Sequence, residues 1–181
     1  MAGCGRNVLT LRRTFPTSNL EIVDSSEKMI QYATESFVVS SSETRISRVQ
    51  DYPCSKRAGA TGLVLAWWCL CYLSERDIDQ FLAGAKTALK RGGFLIFAEP
   101  LSRFVEENRY KGQSMALRPK SYYDRLFMVH GLKILYMQSY DIYYTDCGAE
   151  MAEEVVYVLQ TRGSNYGRKN RIDKDIEESD A

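Results

Sequence analysis

The stretch Gly62 to Cys69 (GLVLAWWC) carries no polar side chain. A strand with one wet face alternates apolar and polar residues, so an unbroken apolar run marks a strand buried on both faces, as inside a parallel sheet. Downstream, Ser74 caps a helical pattern in which Ile78, Phe81, Leu82, Ala85 and Leu89 recur on one face, and Arg91-Gly92-Gly93 closes it. Phe94 to Ala98 (FLIFA) is then a second all-apolar strand, stopped by Glu99-Pro100. Strand, helix and strand in that order make a crossover unit with parallel strands, which predicts an α/β fold.

The flanks extend this pattern. Leu20 to Val23 reads as a short strand ending in Asp24, Ser25 and Ser26, with a helix from about Ser26 to Ala33 behind it. Phe37 to Ser40 and Thr44 to Val49 compete for the next strand, and a loop is expected from Gln50 to about Thr61. Leu101 to Leu117 reads as polar and irregular. Pro119 sets up a helix capped by Ser121 and stopped at Gly131. Lys133 to Tyr144 and Glu154 to Thr161 read as closing strands joined in a long antiparallel hairpin. One domain over residues 1–161 is expected, with 162–181 a charged tail that lacks an apolar face.

Charge narrows the partners. Lys and Arg total 24 against 23 Asp and Glu, so a formal charge of +1 gives no field to recruit nucleic acid or an anionic membrane. The five cysteines (4, 54, 69, 71 and 147) are an odd set, read as free buried thiols of a reduced compartment. With His130 the one histidine, no metal site is expected, and its place near a helix C-terminus reads as structural. No apolar run reaches the roughly 20 residues of a spanning helix. A monomer in the cytoplasm or nucleus, without nucleic acid or membrane partners, is the expectation.

Three features carry chemistry. Ala2-Gly3-Cys4-Gly5-Arg6-Asn7 is a glycine-containing turn, and Asp24 stands at a strand end about 20 residues beyond it. In nucleoside-binding folds glycines let the backbone approach the ligand, and an acid at that spacing accepts hydrogen bonds from the ribose hydroxyls. A plain turn followed by a helix-capping aspartate accounts for the same residues. Val49-Gln50-Asp51-Tyr52 follows a candidate strand, where an adenine ring and its amine find a side-chain carbonyl; an ordinary polar loop is the alternative. Trp67-Trp68 ends the central strand, where open α/β sheets place their ligands, although core packing is the default for tryptophan.

Taken in order, the glycine turn, Asp24, Gln50-Asp51, the strand ending in Trp68, the Tyr72-Leu73-Ser74-Glu75 helix start and Lys90-Arg91-Gly92-Gly93 resemble a class I S-adenosyl-L-methionine-dependent methyltransferase. More narrowly the chain is similar to the protein N-terminal α-amine methyltransferases, over about Met1 to Thr161. The resemblance implies a Rossmann-like sheet, mostly parallel, with an antiparallel closing hairpin. It implies S-adenosyl-L-methionine contacts from Gly3, Gly5, Arg6, Asp24, Val49, Gln50 and Trp67, and a protein N-terminal peptide as substrate, packed by Trp68. The loop 101–117 corresponds to part of the substrate channel.

The departures are specific. Tyr72 stands where the family carries His, Glu99-Pro100 replaces an Asp-Asn pair, and Arg118-Pro119-Lys120-Ser121 replaces an Arg-Asp-x-Asp stretch. An ammonium is no nucleophile until it loses a proton, so Glu99 and Tyr72 become the candidate catalytic groups. The family's first glycine falls on Met1, so a sheet lacking its first strand is expected, from an incomplete or degenerate relative. Other acceptors, a small molecule or another protein side chain, and an inactive binding protein stay open beside amine methylation.

Overall fold

The computed structural model describes residues 6–16, 19–36, 39–51, 58–102, 106–110, 113–142 and 152–161. Arg6–Thr14 forms helix α1, which turns Val8 inward, and the short strand β1 is Ile22–Asp24. Helix α2, Glu27–Ser36, is capped by Ser26, whose Oγ accepts the Met29 N–H at 3.4 Å. Strand β2 is Thr44–Ile46 and pairs in parallel with β1, Ile22 opposite Thr44 and Asp24 opposite Ile46. It stops short of Val49, because Val49–Asp51 winds into a 3-10 turn. Val8, Ile22, Ile30 and Val39 share a small core under this layer.

The crossover unit forms as the apolar runs require. Strand β3, Thr61–Trp67, leads through helix α3, Glu75–Ala88, to strand β4, Leu89–Leu101, and β3 and β4 are parallel. Ser74 caps α3 twice over: its Oγ accepts the Asp77 N–H at 3.2 Å and donates to Asp77 Oδ2 at 2.7 Å. Ile78, Phe81, Leu82 and Ala85 face the sheet, one per helical turn or closer. β4 begins at Leu89 rather than Phe94, and the pairing shows why. Thr61 sits opposite Leu89 but Leu63 opposite Phe94, so Lys90-Arg91-Gly92-Gly93 bulges from the ladder, with Gly92 at φ +78°.

Two further expectations need correction. The stretch read as irregular contains a hairpin of β5, Glu106–Tyr110, and β6, Gln113–Leu117. Polar residues mask its strands, yet Met115 and Leu117 alternate inward, the period a half-buried strand requires. Helix α4, Lys120–Val129, is capped by Pro119 instead of Ser121, which falls inside the first turn. Proline at ψ 155° keeps the chain extended up to the helix start.

Strand β7, Leu132–Ile142, and β8, Ala152–Thr161, form the expected antiparallel hairpin, with β8 inserted between β4 and β7. The main sheet therefore runs β3, β4, β8, β7, parallel on one side and antiparallel on the other. Phe97 lies at the centre of its core, 5.0 Å from the rings of Phe127 and Tyr157 and 5.7 Å from Tyr123. Among the described residues β1 and β2 make a separate two-stranded sheet. The charged tail, 162–181, lies outside the described residues.

Candidate functional site

In a parallel sheet every strand delivers its last residue to the same edge, so Asp24 at the end of β1 and Trp67 at the end of β3 each stand at the carboxyl edge of their own sheet. Asp24 ends β1 and is 3% exposed, its Oδ1 accepting the Ser26 N–H at 2.9 Å. Ser47 N–H donates to Asp24 O at 2.9 Å, so the chain leaving β2 turns beside it into the Val49–Asp51 turn. Val49 packs on the main core, and Gln80 of α3 donates to Gln50 O at 2.9 Å. These two contacts bind the turn to the crossover unit. The charge of Asp24 also reaches Cys69, beyond the end of β3, as a minor contribution.

Gln50 supplies the most telling atom. Among the described residues its Oε1 is buried without a hydrogen-bond partner, and a buried unpaired acceptor costs about 1–3 kcal/mol until a donor reaches it. The exocyclic amine of adenine is such a donor, and the carboxylate of Asp24 at the same edge is chemically suited to ribose hydroxyls. The residues present therefore fit a nucleoside. Gly3 and Gly5 lie outside the described residues, and Arg6 is the first residue of α1.

At the end of β3 the two indoles part. Trp67 remains in the strand and is 40% exposed. Trp68 leaves it with φ +48°, a left-handed conformation rare outside glycine, while its N–H still donates to Ala98 O at 2.9 Å. Its indole N–H donates to Glu154 Oε1 of β8 at 2.7 Å.

The turn that follows, Leu70–Tyr72, is held from both ends by buried charges. Glu99, 0% exposed at the end of β4, accepts the N–H groups of Cys69 and Leu70 on Oε1 at 2.9 and 2.8 Å, and that of Cys71 on Oε2 at 3.0 Å. Arg118, 4% exposed, donates to Leu70 O at 3.1 Å and Leu73 O at 2.7 Å, with its guanidinium 5.3 Å from the Tyr122 ring centre. Negative charge meets the amide end and positive charge the carbonyl end, so both charges oppose the turn's own dipole. Burial raises the Glu99 pKa, and the three amide donors pull it back. Burial also pushes the Cys69 thiol up to about 11, helped by the charges of Glu99 and Asp24, and raises Cys71 further.

Tyr72 closes this turn and, with Cys71, packs against Met115 and Leu117 of the β5–β6 hairpin. His130 bonds Asp79 Oδ1 at 2.7 Å, tying the end of α4 to α3. A groove of about 370 Å³ between those helices, bordered by Arg76, Asp79, Tyr122 and Arg125, lies in the helical layer and shares none of the residues named at the sheet edge. Sequence reasoning noted Arg118 only as a departure from a pattern and passed over Glu154. Their signals were present: an arginine closing the apolar run Met115 to Leu117, and paired acids opening an otherwise apolar strand.

Residues 1–93 match the model of the family described as "Methyltransferase domain", a span just over half the chain. The chain belongs to this family. Its fold is the Rossmann-like α/β fold of methyltransferases with a mixed sheet, and the cofactor of such domains is S-adenosyl-L-methionine. Among curated proteins, a carboxy-S-adenosyl-L-methionine synthase of Shewanella sediminis is 30% identical over 110 residues, 59% of this chain and 45% of that protein. The chain thus spans under half the length of that relative. Among solved structures, a SAM-dependent methyltransferase of Leishmania major superposes with TM-score 0.70 at 19% identity, over 88% of this chain and 61% of its own. Geranyl diphosphate C-methyltransferase of Streptomyces coelicolor, solved with S-adenosyl-L-homocysteine, gives TM-score 0.69 at 13% identity, over 88% and 68%.

Proposed function

We propose that this methyltransferase domain transfers a methyl group from S-adenosyl-L-methionine to the α-amine of a protein N-terminus. The observation that carries the cofactor half of the reading is the unpaired buried Gln50 Oε1 beside the Asp24 edge. When bound, the cofactor supplies a methyl group already activated on a sulfonium, so the protein's task is placement and proton removal. Asp24 would hold the sugar and Gln50 would receive the adenine amine, with Val49 beside it in the same turn. Trp67 and Trp68, at the end of β3, would supply aromatic faces to a sulfonium. Gly3, Gly5 and Arg6 complete the cofactor side in the family likeness.

The acceptor half rests on the same likeness and on Trp68. Glu99 has both oxygens engaged by main-chain amides, which suits holding the turn more than taking a proton, and leaves Tyr72 as the remaining candidate. That engagement favours a second reading, in which the acceptor needs no strong base; a neighbour of this fold is named for methylating carbon in a small diphosphate. Among the described residues β1 and β3 are each the end strand of their own sheet.

Calorimetry with S-adenosyl-L-homocysteine tests the cofactor assignment. Asp24→Ala and Gln50→Ala are each expected to weaken binding at least about tenfold, the scale of one or two hydrogen bonds to buried groups. Unchanged affinity in a folded variant refutes the role of that residue. A radiolabelled methyl assay on peptides beginning Ala-Pro-Lys or Ser-Pro-Lys separates the acceptors. Binding of the homocysteine product without peptide methylation selects the second reading.

A further inference from the structure

Trp68 is the one non-glycine residue with positive φ among the described residues, and it sits where a bound nucleoside and its acceptor would meet. A left-handed bulky residue costs roughly 1–3 kcal/mol and persists only where its surroundings hold it. One restraint is the main-chain bond to Ala98, which any residue would make. A second is specific to the side chain: the indole N–H bonded to Glu154, 86 positions away. Strand order makes the reach informative. Trp68 follows β3, whereas Glu154 belongs to β8 and pairs with Pro100, so the indole must cross the end of β4 to meet it. Glu154 is itself fixed between Pro100 on one side and Tyr140 on the other. None of the described ion pairs engages its carboxylate.

We propose that Glu154 is a positioning residue for the acceptor side of the site, acting through Trp68: it holds the indole across the carboxyl end of β4 and so sets which acceptors reach the methyl donor. This rests on the methyltransferase reading for its functional half only. The ring lies across the end of β4, with Ala98 on its main chain and Glu154 of the β7–β8 hairpin on its indole. With its N–H satisfied by a carboxylate, the ring offers its electron-rich face as a wall for the acceptor chain to pack on.

The experiment compares Glu154→Ala, Glu154→Gln and Trp68→Phe in the full chain. Tryptophan emission is read first. Glu154→Ala is expected to shift it, Glu154→Gln to leave it near the parent because the amide oxygen still accepts, and Glu154→Ala to have no effect on a Trp68→Phe background. S-adenosyl-L-homocysteine affinity should stay within about twofold in Glu154→Ala, while KM for an Ala-Pro-Lys peptide rises about tenfold, the scale of one charged hydrogen bond. Emission unchanged in Glu154→Ala overturns the inference, as does equal loss of cofactor and peptide affinity or a failure of Glu154→Gln to restore both readouts. Absence of methylation in the parent chain defeats the functional reading instead, and the emission series then still decides whether Glu154 orients Trp68.

Discussion

Removing the Glu99 carboxylate separates a structural clamp from a catalytic base. In Glu99→Ala the N–H groups of Cys69, Leu70 and Cys71 lose their acceptor in a place without solvent. Each orphaned donor costs about 1–3 kcal/mol, and three of them sum to roughly 3–9 kcal/mol. Against this, the variant no longer buries a carboxylate, which returns several kcal/mol. A net loss of about 3 kcal/mol follows, or roughly 6–12 °C in Tm for a chain of this size. Glu99→Gln keeps one acceptor oxygen but turns an NH₂ toward a main-chain N–H, for a loss of about 1–2 kcal/mol. Urea unfolding with a constant m-value measures both. A loss under about 1 kcal/mol in Glu99→Ala, or a Gln variant no better than Ala, refutes the clamp. If the Gln variant folds stably while kcat falls a thousandfold, Glu99 is the base after all.

Two more outcomes follow from the geometry. An added methyl at Gly93 lies 3.0 Å from Lys90 O and 3.1 Å from both Gly62 O and Thr61 O, all backbone, so Gly93→Ala should cost about 1–3 kcal/mol by thermal unfolding; a neutral result would mean the bulge yields easily. With the Cys69 thiol raised from 9.0 to about 11, the unfolded chain ionises first, so stability should fall as pH rises from about 9 to 11, by roughly 2–3 kcal/mol, and Cys69→Ala should remove that share. A flat alkaline profile in the parent chain would contradict it.

The α/β crossover was legible because its signals are local. Two apolar runs, a Ser-x-x-Asp cap and one helical face specify β3, α3 and β4 without reference to the rest of the chain. The β7–β8 hairpin was legible for the same reason. The β5–β6 hairpin was not, since its residues are polar and only Met115 and Leu117 betray an inward face. Helix α1 escaped because Gly3 and Gly5, just before it, drew the sequence reading of Arg6 and Asn7 toward a turn. At the candidate site, Asp24 was singled out by its spacing from the glycines and Gln50 by its place after a candidate strand, both of them local signals. Arg118 and Glu154 act through bonds that span 45 and 86 positions, and no window along the sequence brings such partners together.

The last described strand of the domain is an interior one, and this orders its assembly in time. During synthesis the chain can extend through β7 before β8 emerges, and until then β4 and β7 lack the strand that joins them. Val155, Tyr157 and Leu159 must arrive before Phe97 and Phe127 are sealed from water. A nascent chain therefore holds its largest aromatic surface open until the end, a window in which chaperones and proteases compete for it.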